Sequence, residues 1–147
     1  MRLTGILYSA LALSATFMKV PRHHHPRSDV HAREPHAQHS AAVLRRAEAG
    51  GSAAVAWHTL THCAYVLEGG GRPFLERLLR LVEVAPVGSA DARRALGLPM
   101  SNIDDACQAA AALAWAADVI VTRNLAHYRR SPVRALSPAA FIKKVGR

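Results

Sequence analysis

Carboxylates are what this chain has least of for its size: ten Asp and Glu stand against 19 Lys and Arg in 147 residues, a formal charge of +9. Such an excess attracts polyanions, which release their condensed counterions on binding. The cations are dispersed, in Arg45-Arg46, Arg72 to Arg80, Arg93-Arg94, Arg129-Arg130 and Lys143-Lys144. Most therefore suit solvated helix faces, and the charge supports a nucleic-acid partner without specifying one. With only two cysteines, Cys63 and Cys107, each inside an apolar helical pattern, a disulfide framework is excluded in favour of buried free thiols. Aromatics make up 5% of the chain while alanine dominates, which disfavours a β-sandwich and favours helix-rich α/β packing. No apolar run is long and continuous enough to predict a membrane span. The length is that of one domain able to bury a core without staples.

What is present is concentrated in the C-terminal third. Residues 103–115 form a strong helix pattern opened by Ser101 or Asn102 as N-cap, with Asp104 and Asp105 in its first turn, where the helix dipole favours negative charge. Asp118 then precedes the β-branched run Val119-Ile120-Val121, the pattern of a buried parallel strand, and Thr122-Arg123-Asn124 falls at its C-terminal edge. Open α/β sheets build their sites at that edge. Carboxylates and an amide at the ends of neighbouring elements are what a hard divalent cation requires. Acids at a helix start and an Asp before a strand also have ordinary roles as dipole partner and turn residue.

Upstream, helix and strand signals alternate. Residues 37–49 read as a helix closed by Gly50-Gly51, and residues 55–67 as a short strand or loop entering a second helix. Pro73 suits the first turn of a third helix, with Phe74, Leu75, Leu78, Leu79 and Leu81 at core spacing. Residues 82–87 read as a strand and 89–96 as a short helix capped by Ser89 and stopped by Gly97. The alternation predicts a parallel sheet sandwiched by helices.

The tract from Asp105 to Tyr128, followed by Ser131-Pro132-Val133 and Leu136-Ser137-Pro138-Ala139-Ala140-Phe141, resembles the end of a PIN domain. The likeness extends back through Arg33-Glu34-Pro35-His36, the helix of residues 41–49, Leu60-Thr61-His62 and Leu81-Val82-Glu83-Val84-Ala85-Pro86-Val87. It implies a three-layer α/β/α fold with a central parallel sheet, and a metal-dependent endoribonuclease of the kind found as toxins in toxin-antitoxin pairs. It also implies Mg²⁺ or Mn²⁺ as cofactor, RNA as substrate, a homodimer, an antitoxin partner, no membrane and a cytoplasmic location. Carried over residue by residue, Asp105 and Asp118 would be catalytic acids. Asp105, Asp118, Asn124 and the extra acid Asp104 would hold metal, Thr122 would orient that shell, and Arg123 would contact phosphate. Tyr128, Trp57, Tyr65 and Trp115 are assigned to packing or interfaces.

The opening of the chain departs from the family pattern. Residues 1–17 read as an apolar extension, either signal-like or preceding a true start at Met18, and residues 18–147 as the PIN-like domain. His23-His24-His25 stands where the family carries Asp-Thr-Asn, and His62 where it often has a second acid. Residues 21–39 hold three prolines and six histidines without periodicity, too irregular to preset a transition-metal site. Pro21-Arg22-His23-His24 can be encoded so that reading one base later gives Leu-Asp-Thr-Thr, and a local frameshift would account for the missing acid. The alternative function is therefore a catalytically impaired PIN-like protein that binds RNA or an antitoxin without cleavage.

Overall fold

In a computed structural model, the chain is described over residues 15–20, 35–67 and 71–146. Strands are β1 (Thr16–Met18), β2 (Ala53–Val55), β3 (Glu83–Val84), β4 (Val119–Val121) and β5 (Ala135–Leu136). Helices are α1 (Pro35–Glu48), α2 (Trp57–Leu67), α3 (Gly71–Leu81), α4 (Ser89–Gly97), α5 (Ile103–Ala114) and α6 (Pro138–Val145), with a 3-10 turn at Leu125–Tyr128. Residues 21–34, with His23-His24-His25 and the proposed frameshift, lie outside the described residues, whereas residues 35–39, read as irregular from the sequence, open α1. β1 takes Thr16 and Phe17, which the sequence reading left in the extension, into the sheet.

The sheet order is β3-β2-β1-β4-β5. β2 pairs parallel with β3, and β4 with β5, whereas β1 is antiparallel to both β2 and β4. Four strands thus point one way, as the parallel sheet predicted from the sequence requires, and the central one runs against them. The triplet Thr16-Phe17-Met18 does not encode its own direction: reversing it keeps Phe17 on one face and merely exchanges Thr16 with Met18 on the other.

Side-chain alternation divides the core between the two sheet faces. Met18, Val55, Val119 and Val121 pack on one side with Val43 and Leu44 of α1, Leu60 and Cys63 of α2, Phe74 and Leu78 of α3, and Phe141 and Val145 of α6. Phe17, Ala54 and Ile120 pack on the other with Ala109, Ala111 and Ala112 of α5 and with Trp115. Both faces are covered, which is the α/β/α sandwich expected. Burial pushes the Cys63 thiol up to about 11, so it stays protonated at neutral pH. Cys63 and Cys107 are both free thiols, the second only partly buried. Trp115 ties the far layer to the sheet edge by donating Nε1–H to Glu83 Oε2 at 2.6 Å, while Lys19 Nζ sits 4.4 Å from its ring centroid.

Helix ends follow local chemistry. α1 closes at Gly50 with φ 97°, and a Cβ at Gly51 would meet Arg46 O at 2.7 Å, so the Gly50-Gly51 stop is obligatory. α5 closes through the same pair of bonds, Ala116 N–H to Leu113 O and Ala117 N–H to Ala112 O, but with Ala116 at φ 58° in the position glycine usually takes. That turn drops the chain directly into β4. Gly88, not Ser89, is the N-cap of α4. Among the described residues, no helix is long and apolar enough to cross a membrane.

Candidate active site

Because β2 and β4 point the same way, the residues that follow them emerge at one edge of the sheet. From β2 the chain enters α2, bringing His58, Thr61, His62 and Tyr65; from β4 it continues through Thr122 to Asn124 and His127. The first turn of α5 adds Asp104 and Asp105. These groups line a cavity of about 520 Å³.

Asn102 sets the geometry of the α5 end. Its Oδ1 accepts from Asp104 N–H at 2.8 Å and from Asp105 N–H at 3.2 Å, fixing the turn that carries both acids. Asn102→Ala is expected to destabilise the fold by about 1 kcal/mol, measured by urea unfolding, without loss of the remaining helix in far-UV spectra. Asn102, rather than Ser101, is thus the cap.

Asp105 is the centre of the cluster. Its side chain is 15% exposed, and Oδ2 lies 3.0 Å from His127 Nδ1. The buried Tyr128 phenol lines the same cavity; burial first, and the Asp105 carboxylate second, push it well above its usual range, so it stays protonated. His127 therefore orients this carboxylate. On the facing wall, burial lowers the pKa of His58 despite Asp104 nearby, which favours its neutral ring. Deeper in, Gln108 donates Nε2–H to Thr59 Oγ1 at 2.9 Å, both groups being buried. Gln108 Oε1 and His58 Nε2 have no hydrogen-bond partner among the described residues. Buried polar atoms of that kind are normally satisfied, so the cavity is shaped for a polar occupant.

Of the residues singled out by sequence, the structure brings together Asp104, Asp105 and Asn124, and places Thr122 directly behind them. Thr122 is fully buried, and its Oγ1 accepts the Asn124 N–H at 3.1 Å, holding the turn after β4. Arg123 is half-buried beside them. Asp118 is not in this group. It precedes β4 rather than following it, which puts it about 13 Å from Thr122 along the strand, at the opposite edge, where Oδ2 accepts the Val20 N–H at 2.7 Å. Its role here is to anchor the end of β1. The sequence reading missed His58, His127 and Gln108; His127 carried a weak signal, lying three residues beyond Asn124, within reach of a single tight turn. Tyr128 packs as expected, and Trp115 is buried, but Trp57 and Tyr65 are exposed and not core residues.

The sequence matches the PIN domain family over residues 28–126, about two thirds of the chain. The chain belongs to the PIN domain family. Comparison with curated proteins and with solved structures returned no match. The matched span of this PIN domain runs from before α1 into the 3-10 turn, and so includes every residue of the cluster around Asp105 except His127 and Tyr128.

PIN domains generally use divalent metal ions, so the donor set here can be tested against that expectation. Among the described residues, no group of three or more His, Cys, Asp or Glu is placed to hold an ion. Mg²⁺ does not need such a cage, since it keeps several waters and commonly takes one or two carboxylates together with substrate phosphate. Asp104 and Asp105, with the amide oxygen of Asn124 and the Oε1 of Gln108, which has no partner among the described residues, line one cavity as oxygen donors of that sparse kind. The residues fit Mg²⁺ or Mn²⁺ held with few protein ligands.

Proposed function

We propose that this PIN domain is a metal-dependent endoribonuclease that hydrolyses RNA phosphodiesters, in the manner of the toxin ribonucleases the family contains. The observation that carries this reading is the Asp105 carboxylate, largely buried and held by His127 at 3.0 Å at the strand edge of a polar cavity. Mg²⁺ or Mn²⁺, when bound, supplies charge neutralisation at phosphate and a lowered pKa for attacking water. Asp105, Asp104 and Asn124 would hold it, while Thr122 keeps Asn124 in register through the 3.1 Å bond to its backbone. Arg123 stands beside Asn124, where a guanidinium would position the scissile backbone. The net charge of +9 favours encounter with RNA. By the same resemblance, the proposed setting is cytoplasmic, with a homodimer restrained by a small antitoxin protein.

A second reading, a PIN-like protein that binds RNA or antitoxin without cutting, is favoured by one observation. Asp104 and Asp105 are the only carboxylates lining the cavity among the described residues. Fewer acids mean weaker metal affinity and less activation of water. Cleavage of mixed RNA by the full chain in Mg²⁺ or Mn²⁺ separates the two. The ribonuclease reading expects turnover that stops with EDTA and returns with added metal, more strongly with millimolar than micromolar ion. RNA retained on the protein but left intact in either metal supports the binding protein.

A further inference from the structure

Seven aromatic side chains lie among the described residues, and five of them, Phe17, Phe74, Trp115, Tyr128 and Phe141, are buried. The other two, Trp57 at 64% exposure and Tyr65 at 84%, both project from α2 beside the candidate active site. They stand eight residues apart, about 12 Å along the helix axis and about 80° apart around it. Tyr65 lines the 520 Å³ cavity together with Asp104, Asp105 and Asn124. Trp57 lines an adjoining, mainly apolar cavity of about 190 Å³, and His58 belongs to both.

An exposed aromatic has no folding reason to be at a polar catalytic edge, because leaving it in water forgoes the burial that stabilises the other five. We propose that Tyr65 and Trp57 are stacking platforms for the bases of single-stranded RNA, so that the substrate strand runs along α2 with its backbone at the Asp105 edge. Every base has a π-face, so such platforms hold unpaired nucleotides with little regard to sequence, whereas a duplex keeps its bases inside. The intervening exposed groups are Thr61 and His62, which can bond to sugar and phosphate oxygens. The chain's positive charge complements a polyanion. This inference rests on the site being one for RNA, as proposed above, and assigns Tyr65 and Trp57 to hold its bases.

The test is a fluorescence-anisotropy titration of the full chain, in EDTA to prevent turnover, against a labelled single-stranded RNA and a hairpin of the same composition. Tyr65→Ala is expected to weaken single-strand binding by roughly 5- to 150-fold, Trp57→Ala by at least about fivefold, and Tyr65→Phe to bind as the parent does. The hairpin should bind less tightly and respond little to the substitutions. Single-stranded RNA should also quench the emission of exposed Trp57 in the unmutated protein, a readout that needs no variant to fold. Alanine variants that bind like the parent, or a parent that ignores single-stranded RNA, would overturn the proposal. So would a Tyr65→Ala chain with unchanged RNA affinity that passes from dimer to monomer, since the face would then be a protein interface. Stacking-dependent binding without cleavage in Mn²⁺ leaves this inference standing and removes the nuclease reading. Cleavage by the parent with unchanged affinity in Tyr65→Ala does the reverse.

Discussion

Asp105→Ala is expected to lower metal-dependent RNA cleavage by a factor of about one hundred or more, with the folded state retained. The loss follows from position: Asp105 is the largely buried acid that the fold orients through His127 at 3.0 Å. Removing the carboxylate deprives a sparse donor set of its best-placed member. Asp105→Asn separates charge from shape. The amide oxygen can still accept from the His127 ring N–H but carries no charge, so stability should match the parent while the rate does not. Initial rates on a labelled RNA, with urea unfolding of the same samples, measure both. If both variants cleave as fast as the parent, turnover does not arise at this cavity and the ribonuclease reading is wrong.

Phe141→Ala should have the largest effect on stability, a loss of about 3–5 kcal/mol. Phe141 is completely buried at the centre of α6, among side chains of the sheet face that also receives α1, α2 and α3. Truncation leaves a cavity that four surrounding elements cannot all close on, since each is pinned elsewhere. α6 itself is well capped, with Pro138 in its first turn and Ser137 Oγ accepting the Ala140 N–H at 3.1 Å. The helix should therefore persist while its packing fails. The expected signature is a lower urea midpoint with an unchanged slope. A cost below about 1 kcal/mol would mean that α6 is peripheral to the core.

How far these features could be read from the sequence depends on whether their causes are local. The N-terminus of α5 was legible because Asn102, Asp104 and Asp105 act within one turn, and β4 was legible because three β-branched residues bounded by Asp118 and Thr122 admit little else. The Gly50-Gly51 stop was equally plain. Strand direction at β1 was not, since a triplet with one residue on one face and two on the other reads the same either way. Asp118 was misplaced with the site although its spacing argued otherwise: a residue before a strand and a residue after it occupy opposite edges of a sheet. The exposure of Trp57 and Tyr65 is not encoded in helical spacing, which alone does not say which face of α2 meets the core. His127 joined Asp105 only through the 3-10 turn, a return that no periodicity announces.

The reversed central strand bears on how the molecule comes together. β2 with β3, and β4 with β5, form two separate pairs, and Thr16–Met18 is their hydrogen-bonded joint. One side of that joint links Thr16 to Val55, the other links Thr16 to Val121, more than a hundred residues along the chain. During synthesis the first half-sheet can form early, yet its free edge on β1 must wait for β4 to leave the ribosome. Until then the edge on which the Asp105 cavity depends has only one wall. Closure of that long loop is the slow, non-local step expected to limit folding, and it ties the appearance of any activity to completion of the sheet.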